Sequence, residues 1–221
     1  MEITVRAAAQ GRRVPQIAVL DIRAGHESHD QQQASSAAHL LMRNLSDQLR
    51  TLQAQRPDIV HLLVVSAVSN RSWRPWNNEG KQLPMRHESS GLVRVALTDF
   101  AVVAELTQAW SAVEGLTVDA LGWELTDEAQ RDLEAEVTFQ AVKLCRQRAE
   151  VMASASGFSE VTPLQVADTG LLEQPRAMAE SFGASMAMAR DSAGKAQGEG
   201  FDLSPREIEV RVQVEARFRA Q

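Results

Sequence analysis

The densest set of ligand-capable side chains in this chain is His26-Glu27-Ser28-His29-Asp30. Two histidines three residues apart share a face only on a helical turn, where positions i and i+3 are neighbours. Zinc would need a third ligand and usually a fourth, and spacing nominates neither. The pair also departs from His-Glu-x-x-His, whose histidines stand four apart on a helix. His26 and His29 are thus the metal candidates, while the cluster as a whole reads as the polar entrance to a helix. A metal-dependent hydrolase on His26, Glu27 and His29 is the reaction it would imply.

The other candidates resolve more simply. His87 and Glu88 are adjacent near the start of a strand, so their side chains point to opposite faces. His61 stands inside an apolar run and reads as a core histidine. Glu124, Asp127 and Glu128 could be paired carboxylates for acid–base work, but their place at a helix start explains them through the helix dipole. Ser35, Ser36, Ser154 and Ser156 occupy no Gly-x-Ser-x-Gly elbow. Gly194, Gly198 and Gly200 lack the strand-to-helix setting of a phosphate loop. Cys145 is the sole cysteine; it forms no internal disulfide, has no base placed beside it, and reads as a small core residue. No catalytic set emerges, so the chain is expected to be non-enzymatic and to carry no cofactor. Two groups suit contact with partners instead. Trp73 and Trp76 stand in a polar loop with proline and asparagine, a setting for interface anchors. Met178, Phe182, Met186 and Ala189 form a helical stripe, and Met178, Met186 and Met188 with Phe182 could make an adaptable surface.

The bulk numbers agree. The chain has 221 residues, 44% of them apolar, which is ample for a core, and a net charge of −6. That balance speaks against a nucleic-acid partner, which wants a basic face. No run approaches the roughly 18 apolar residues of a membrane helix. After Met1 the chain alternates at once, without the pattern of an export signal, so a cytoplasmic location is the expectation.

Periodicity supplies the elements that must position these residues. Ile3, Val5 and Ala7 mark a strand, and Ala18, Leu20 and Ile22 a second one close enough to form a hairpin with it. From Ser28 to Gln55 the period lengthens, with Ala38, Leu41, Leu45, Leu49 and Leu52 on one helical stripe. Ile59 to Val68 is apolar on both alternating sets and reads as a central strand covered on both faces. Val93, Val95 and Leu97 form a one-sided strand. Asp99 caps a helix from Phe100 to Val113, and Leu121 and Trp123 mark the next strand. Thr126 caps a long helix whose stripe takes in Ala129, Leu133, Val137, Ala141, Leu144 and Val151, and Gly157 ends it. Val161 to Ala167 reads as an edge strand because of Pro163. Ile208 to Phe218 alternates without interruption. The expected fold is α+β, a mixed and largely antiparallel sheet with helices packed on it, in the order β-β-α-β-β-α-β-α-β-β. A single domain over residues 1–221 is expected, with irregular loops at about 69–91 and 170–204.

The segments "ESSGLVRVALTDFAVVAELTQAW", "VDALGWELTDEAQRDLEAEV", "AVKLCRQRAEVMASASGFSEVTPLQVADTG" and "PREIEVRVQVEARF" resemble, in order and spacing, the strand–helix cassettes of the SIMPL (DUF541) family. The opening "QIAVLDIRAGHES" and the helix after it fit the same pattern. The resemblance implies an α+β protein that forms homo-oligomers, some of them ring- or channel-like, and acts as an interaction or scaffold protein. Many members are exported. The alternative reading is a small-molecule or metal-binding module using the sheet surface and the 170–204 loop.

Overall fold

The structure, a computed structural model, describes residues 1–76, 82–172 and 204–221. Its elements run β1 (Glu2–Arg13), β2 (Ile17–Ser28), α1 (Gln31–Gln55), β3 (Val60–Val65), β4 (Ser69–Trp73), β5 (Arg86–Leu97), α2 (Phe100–Ser111), β6 (Leu116–Glu124), α3 (Asp127–Ala155), β7 (Val161–Asp168) and β8 (Ile208–Ala220). Every described pairing is antiparallel, and the fold is α+β. The strands divide into two sheets, one ordered β1-β8-β7 and one ordered β3-β5-β2-β6, with β4 also paired to β5. The chain likewise separates into two compact units.

Among the described residues the first unit comprises 1–14, 125–172 and 206–221. The two ends of the chain pair along their full length, from Glu2 opposite Arg219 to Arg13 opposite Ile208. Alternation sends Ile3, Val5 and Ala9 of β1 and Val214, Ala216 and Phe218 of β8 to one face, where they form a core with α3. The Thr126 side chain caps α3 by accepting from the Ala129 N–H, and Asp127 and Glu128 sit in its positive first turn. Gly157 takes φ +83° just beyond its end, the left-handed conformation that stops such helices. β7 is an edge strand with a register irregularity after Pro163, as its missing N–H requires.

The second unit comprises 15–76, 82–124 and 204–205. Ala18, Leu20, Ile22 and Ala24 of β2 and Val93, Val95 and Leu97 of β5 share the covered face. Onto it α1 lays Met42, Leu45 and Leu49, and α2 lays Val103 and Trp110. The Trp110 indole N–H would be costly to bury alone; it donates to Gln48 Oε1 at 3.1 Å. Asp30 caps α1 through the Gln33 N–H, and Asp99 caps α2 through the Ala101 and Val102 N–H groups. At the turn into β6, Gly115 holds φ +84° while its carbonyl accepts from the Gly25 N–H at 2.8 Å.

Several expectations need correction. β1 and β2 do not form a hairpin: each finds its partners elsewhere, in different sheets. Proximity in sequence permitted that pairing, but β8 offers β1 twelve matched positions. β3 is not a central strand covered on both faces. It lies at the sheet edge, with Leu62 43% and Val64 50% exposed. His61, expected in the core, is exposed at the irregularity in its pairing with β5. The expected loop at 69–91 instead contains β4 and the start of β5. On α3 the buried residues are Ala129, Leu133, Val137, Ala141, Cys145, Ala149 and Ala153, so Leu144 and Val151 are not part of the stripe. A step of four overshoots a 3.6-residue turn by about 40°, so this seam winds around the helix instead of running straight.

Candidate interaction surfaces

The histidine cluster straddles the end of β2 and the start of α1, and its polar groups are taken up locally. The Glu27 carboxylate meets Arg86 at 3.1 Å, and Ser28 Oγ donates to Gln33 Oε1 at 2.8 Å. His29 Nδ1 lies 3.3 Å from the Met85 carbonyl oxygen, and Asp30 is the α1 cap. His26 is half-buried on β2, opposite Ser89. Among the described residues no group of three or more His, Cys, Asp or Glu side chains could hold a metal ion. A hydroxyl–imidazole contact on neighbouring strands, Ser72 Oγ to His87 Nδ1 at 2.8 Å, is an exposed link between β4 and β5.

Trp73 closes β4 opposite Arg86 and is half-buried, with the Arg71 guanidinium 5.3 Å above its ring. It is therefore a strand residue engaged in a cation–π contact, not the tip of a loop. Trp76, three residues on, is 88% exposed. Met178, Phe182, Met186 and Met188 lie outside the described residues, as does most of the 170–204 segment.

The surface that sequence reasoning missed is on α3. Six steps of four bury one seam, and the opposite seam passes through Phe139, Lys143, Gln147 and Val151. Phe139 is 72% exposed and Val151 70%, with Leu144 and Met152 partly exposed on the same helix. Single exposed apolar residues are ordinary on soluble proteins, whereas grouped ones mark contact sites. The missed signal was the strict four-residue step, which excludes Leu144, Phe139 and Val151 from the core.

Glu215 and Cys145 are among the titratable groups whose perturbation has a clear cause. Glu215 is buried on the face of β8 turned away from α3, where Arg6 of β1 donates to its Oε1 from Nε at 2.9 Å. That hydrogen bond, aided by backbone N–H groups and charge attraction, holds the carboxyl below its usual range. Cys145 is fully buried, and its thiol donates to the Val214 carbonyl oxygen at 3.4 Å. Burial pushes that thiol up, away from the reactive thiolate.

These features define a class: an α+β chain of antiparallel sheets with surface apolar groups on its helical and strand elements. No described helix is long and apolar enough to cross a membrane. The chain belongs to the SIMPL family, a protein family of unknown function (DUF541), whose model matches residues 3–218. No curated protein matches it.

Proposed function

We propose that this chain is a non-enzymatic interaction or scaffold protein that works as a homo-oligomer. The observation that carries the reading is the outer seam of α3. If two copies meet with their α3 helices antiparallel about a twofold axis at Cys145, Phe139 of each copy faces Val151 of the other. Lys143 then faces Gln147. A contact of this kind is self-complementary, as an isologous interface requires. The contact places two apolar side chains from each copy, four in all, out of water.

Full burial of such a side chain is worth about 1.5–3 kcal/mol, against roughly 4–15 kcal/mol for the freedom lost on association. The two sums are of the same size, so the assembly is expected to depend on concentration. A non-enzymatic role is supported by local engagement of several candidates: Asp30 caps α1, Glu27 pairs with Arg86, and His87 meets Ser72 across β4 and β5. Light scattering coupled to size exclusion tests the proposal. The wild-type mass is expected to exceed the monomer and to rise with loading, while Phe139→Glu with Val151→Glu is expected to return the monomer with unchanged circular dichroism. A monomeric wild type at every concentration would overturn it.

A further inference from the structure

The second unit holds another surface, independent of α3, with the geometry of a peptide site. Among the described residues β3 is the outermost strand of its sheet, paired on one side only with β5. At its end the Ser66 N–H donates inward to the Leu92 carbonyl oxygen at 2.9 Å. Backbone groups alternate in direction along a strand, so those of Val65 and Leu63 point outward, away from β5. Edges of this kind are normally blunted by charge, proline or a covering element; β3 reads Val-His-Leu-Leu-Val-Val and, among the described residues, carries the irregularity at His61 as its one such device.

Beside this edge runs an open groove of about 410 Å³ between α1 and the end of β3. One wall is Val65, the last residue of β3, with Ser66, Ala67 and Val68 after it; its helix wall carries His39, Arg43, Asp47 and Arg50, with Met42 and Ser46 at its base. Both arginines are exposed, and neither meets an acceptor among the described residues. Asp47 offsets one of the two charges. His39 Nδ1 lies 2.8 Å from the Ser35 carbonyl oxygen and donates to it, which leaves Nε2 for the groove. An open strand edge next to a helix is the arrangement in which extended peptides add as a further strand.

We propose that this groove binds an extended acidic peptide segment of a partner protein, added antiparallel or parallel to β3 as a new edge strand. Side chains of an added strand alternate in direction. One set faces the α1 wall, where carboxylates meet Arg43 and Arg50; the other lies beside Leu62 and Val64 on the outer face. The choice of an acidic partner rests on this charge complementarity, and it does not require the oligomer proposed above.

The test uses the full chain and a fluorescent eight-residue peptide of alternating valine and glutamate, read by polarisation. Binding is expected to weaken steeply with salt, and to weaken at least tenfold with Arg43→Glu and Arg50→Glu together, both exposed positions on a helix that keeps its core. A peptide of valine and lysine is expected not to bind. A fully N-methylated valine–glutamate peptide, which keeps the charge but loses the strand donors, is expected not to bind either. No binding of the acidic peptide, equal binding of the lysine peptide, retained binding of the N-methylated one, or indifference to the arginine changes would each overturn the proposal. If the peptide fails while the same arginine variant loses oligomeric mass, a second copy occupies the groove and the acidic-partner assignment is wrong. The mass of the Phe139 and Val151 variant reports on the oligomer separately.

Discussion

Single positions set some of the sharpest demands in this fold. Gly115 combines φ +84° with a backbone neighbour: an added Cβ would lie 2.5 Å from the Gly25 carbonyl oxygen. Gly157 has nearly the same φ but nothing within 4 Å of that Cβ. The left-handed conformation costs a non-glycine residue roughly 1–2 kcal/mol, so Gly157→Ala is expected to lose about that much in urea denaturation. Gly115→Ala bears the same cost and must also move a hydrogen-bonded backbone, so its loss is expected to be the larger. Equal losses would show that the turn into β6 yields freely. Cys145 makes a second demand. Its buried thiol, pushed up by desolvation, is expected to react with an aromatic disulfide reagent orders of magnitude more slowly in the native protein than in guanidinium. Rapid native labelling would contradict its place in the α3 seam.

At the scale of elements, much was legible because local chemistry and tertiary packing agree. Asp99 and Thr126 stood where helices begin, Gly157 where one ends, and Pro163 on an edge strand; each follows from the residue's own backbone and hydrogen-bonding needs. The long alternation from Ile208 to Phe218 marked β8 because a strand with one wet face must alternate. What could not be read was what lies next to what. Apolar character alone placed β3 at the centre of a sheet, yet an edge strand with apolar side chains in solvent has the same composition. The β1–β2 hairpin failed because sequence proximity says nothing about the competing partner at the other end of the chain. On α3 both Leu144 and Cys145 fit a helical stripe, and only the walk of the seam over the sheet decides between them. That seam makes a prediction: Ala149→Leu, on its buried line, is expected to destabilise by about 1–3 kcal/mol through overpacking, and Val151→Leu, on the outer line, by less than about 0.5 kcal/mol. The candidate site was less legible than the fold. The histidine cluster is a helix entrance; the four-residue step of α3 marks its outer surface, while the β3 surface follows from exposure, which no residue pattern announces.

For the molecule as a whole, acid response and assembly are the properties that integrate these parts. Glu215 and Asp99 are both held below the ordinary carboxylate range, Glu215 by the Arg6 hydrogen bond and Asp99 by that of Arg56. A carboxyl lowered on folding stabilises the native state above its unfolded value, near 4.3 for glutamate, and that contribution disappears as pH falls through the folded value. Urea midpoints are therefore expected to hold steady from pH 7 to about 5 and to drop below about 4. Glu215→Gln is expected to lower the midpoint at pH 7 and to shrink the drop on acidification; an unchanged acid limb would remove Glu215 from the account. The self-associating scaffold reading rests on an aromatic residue left in solvent at the middle of a 29-residue helix. Its most direct measurement is the absolute mass of the protein by light scattering across a concentration series, beside the Phe139→Glu and Val151→Glu double variant. The reading predicts a mass above the monomer that rises with concentration and collapses in the variant; a wild type that stays monomeric throughout, or a variant that assembles as well as the wild type, would contradict it.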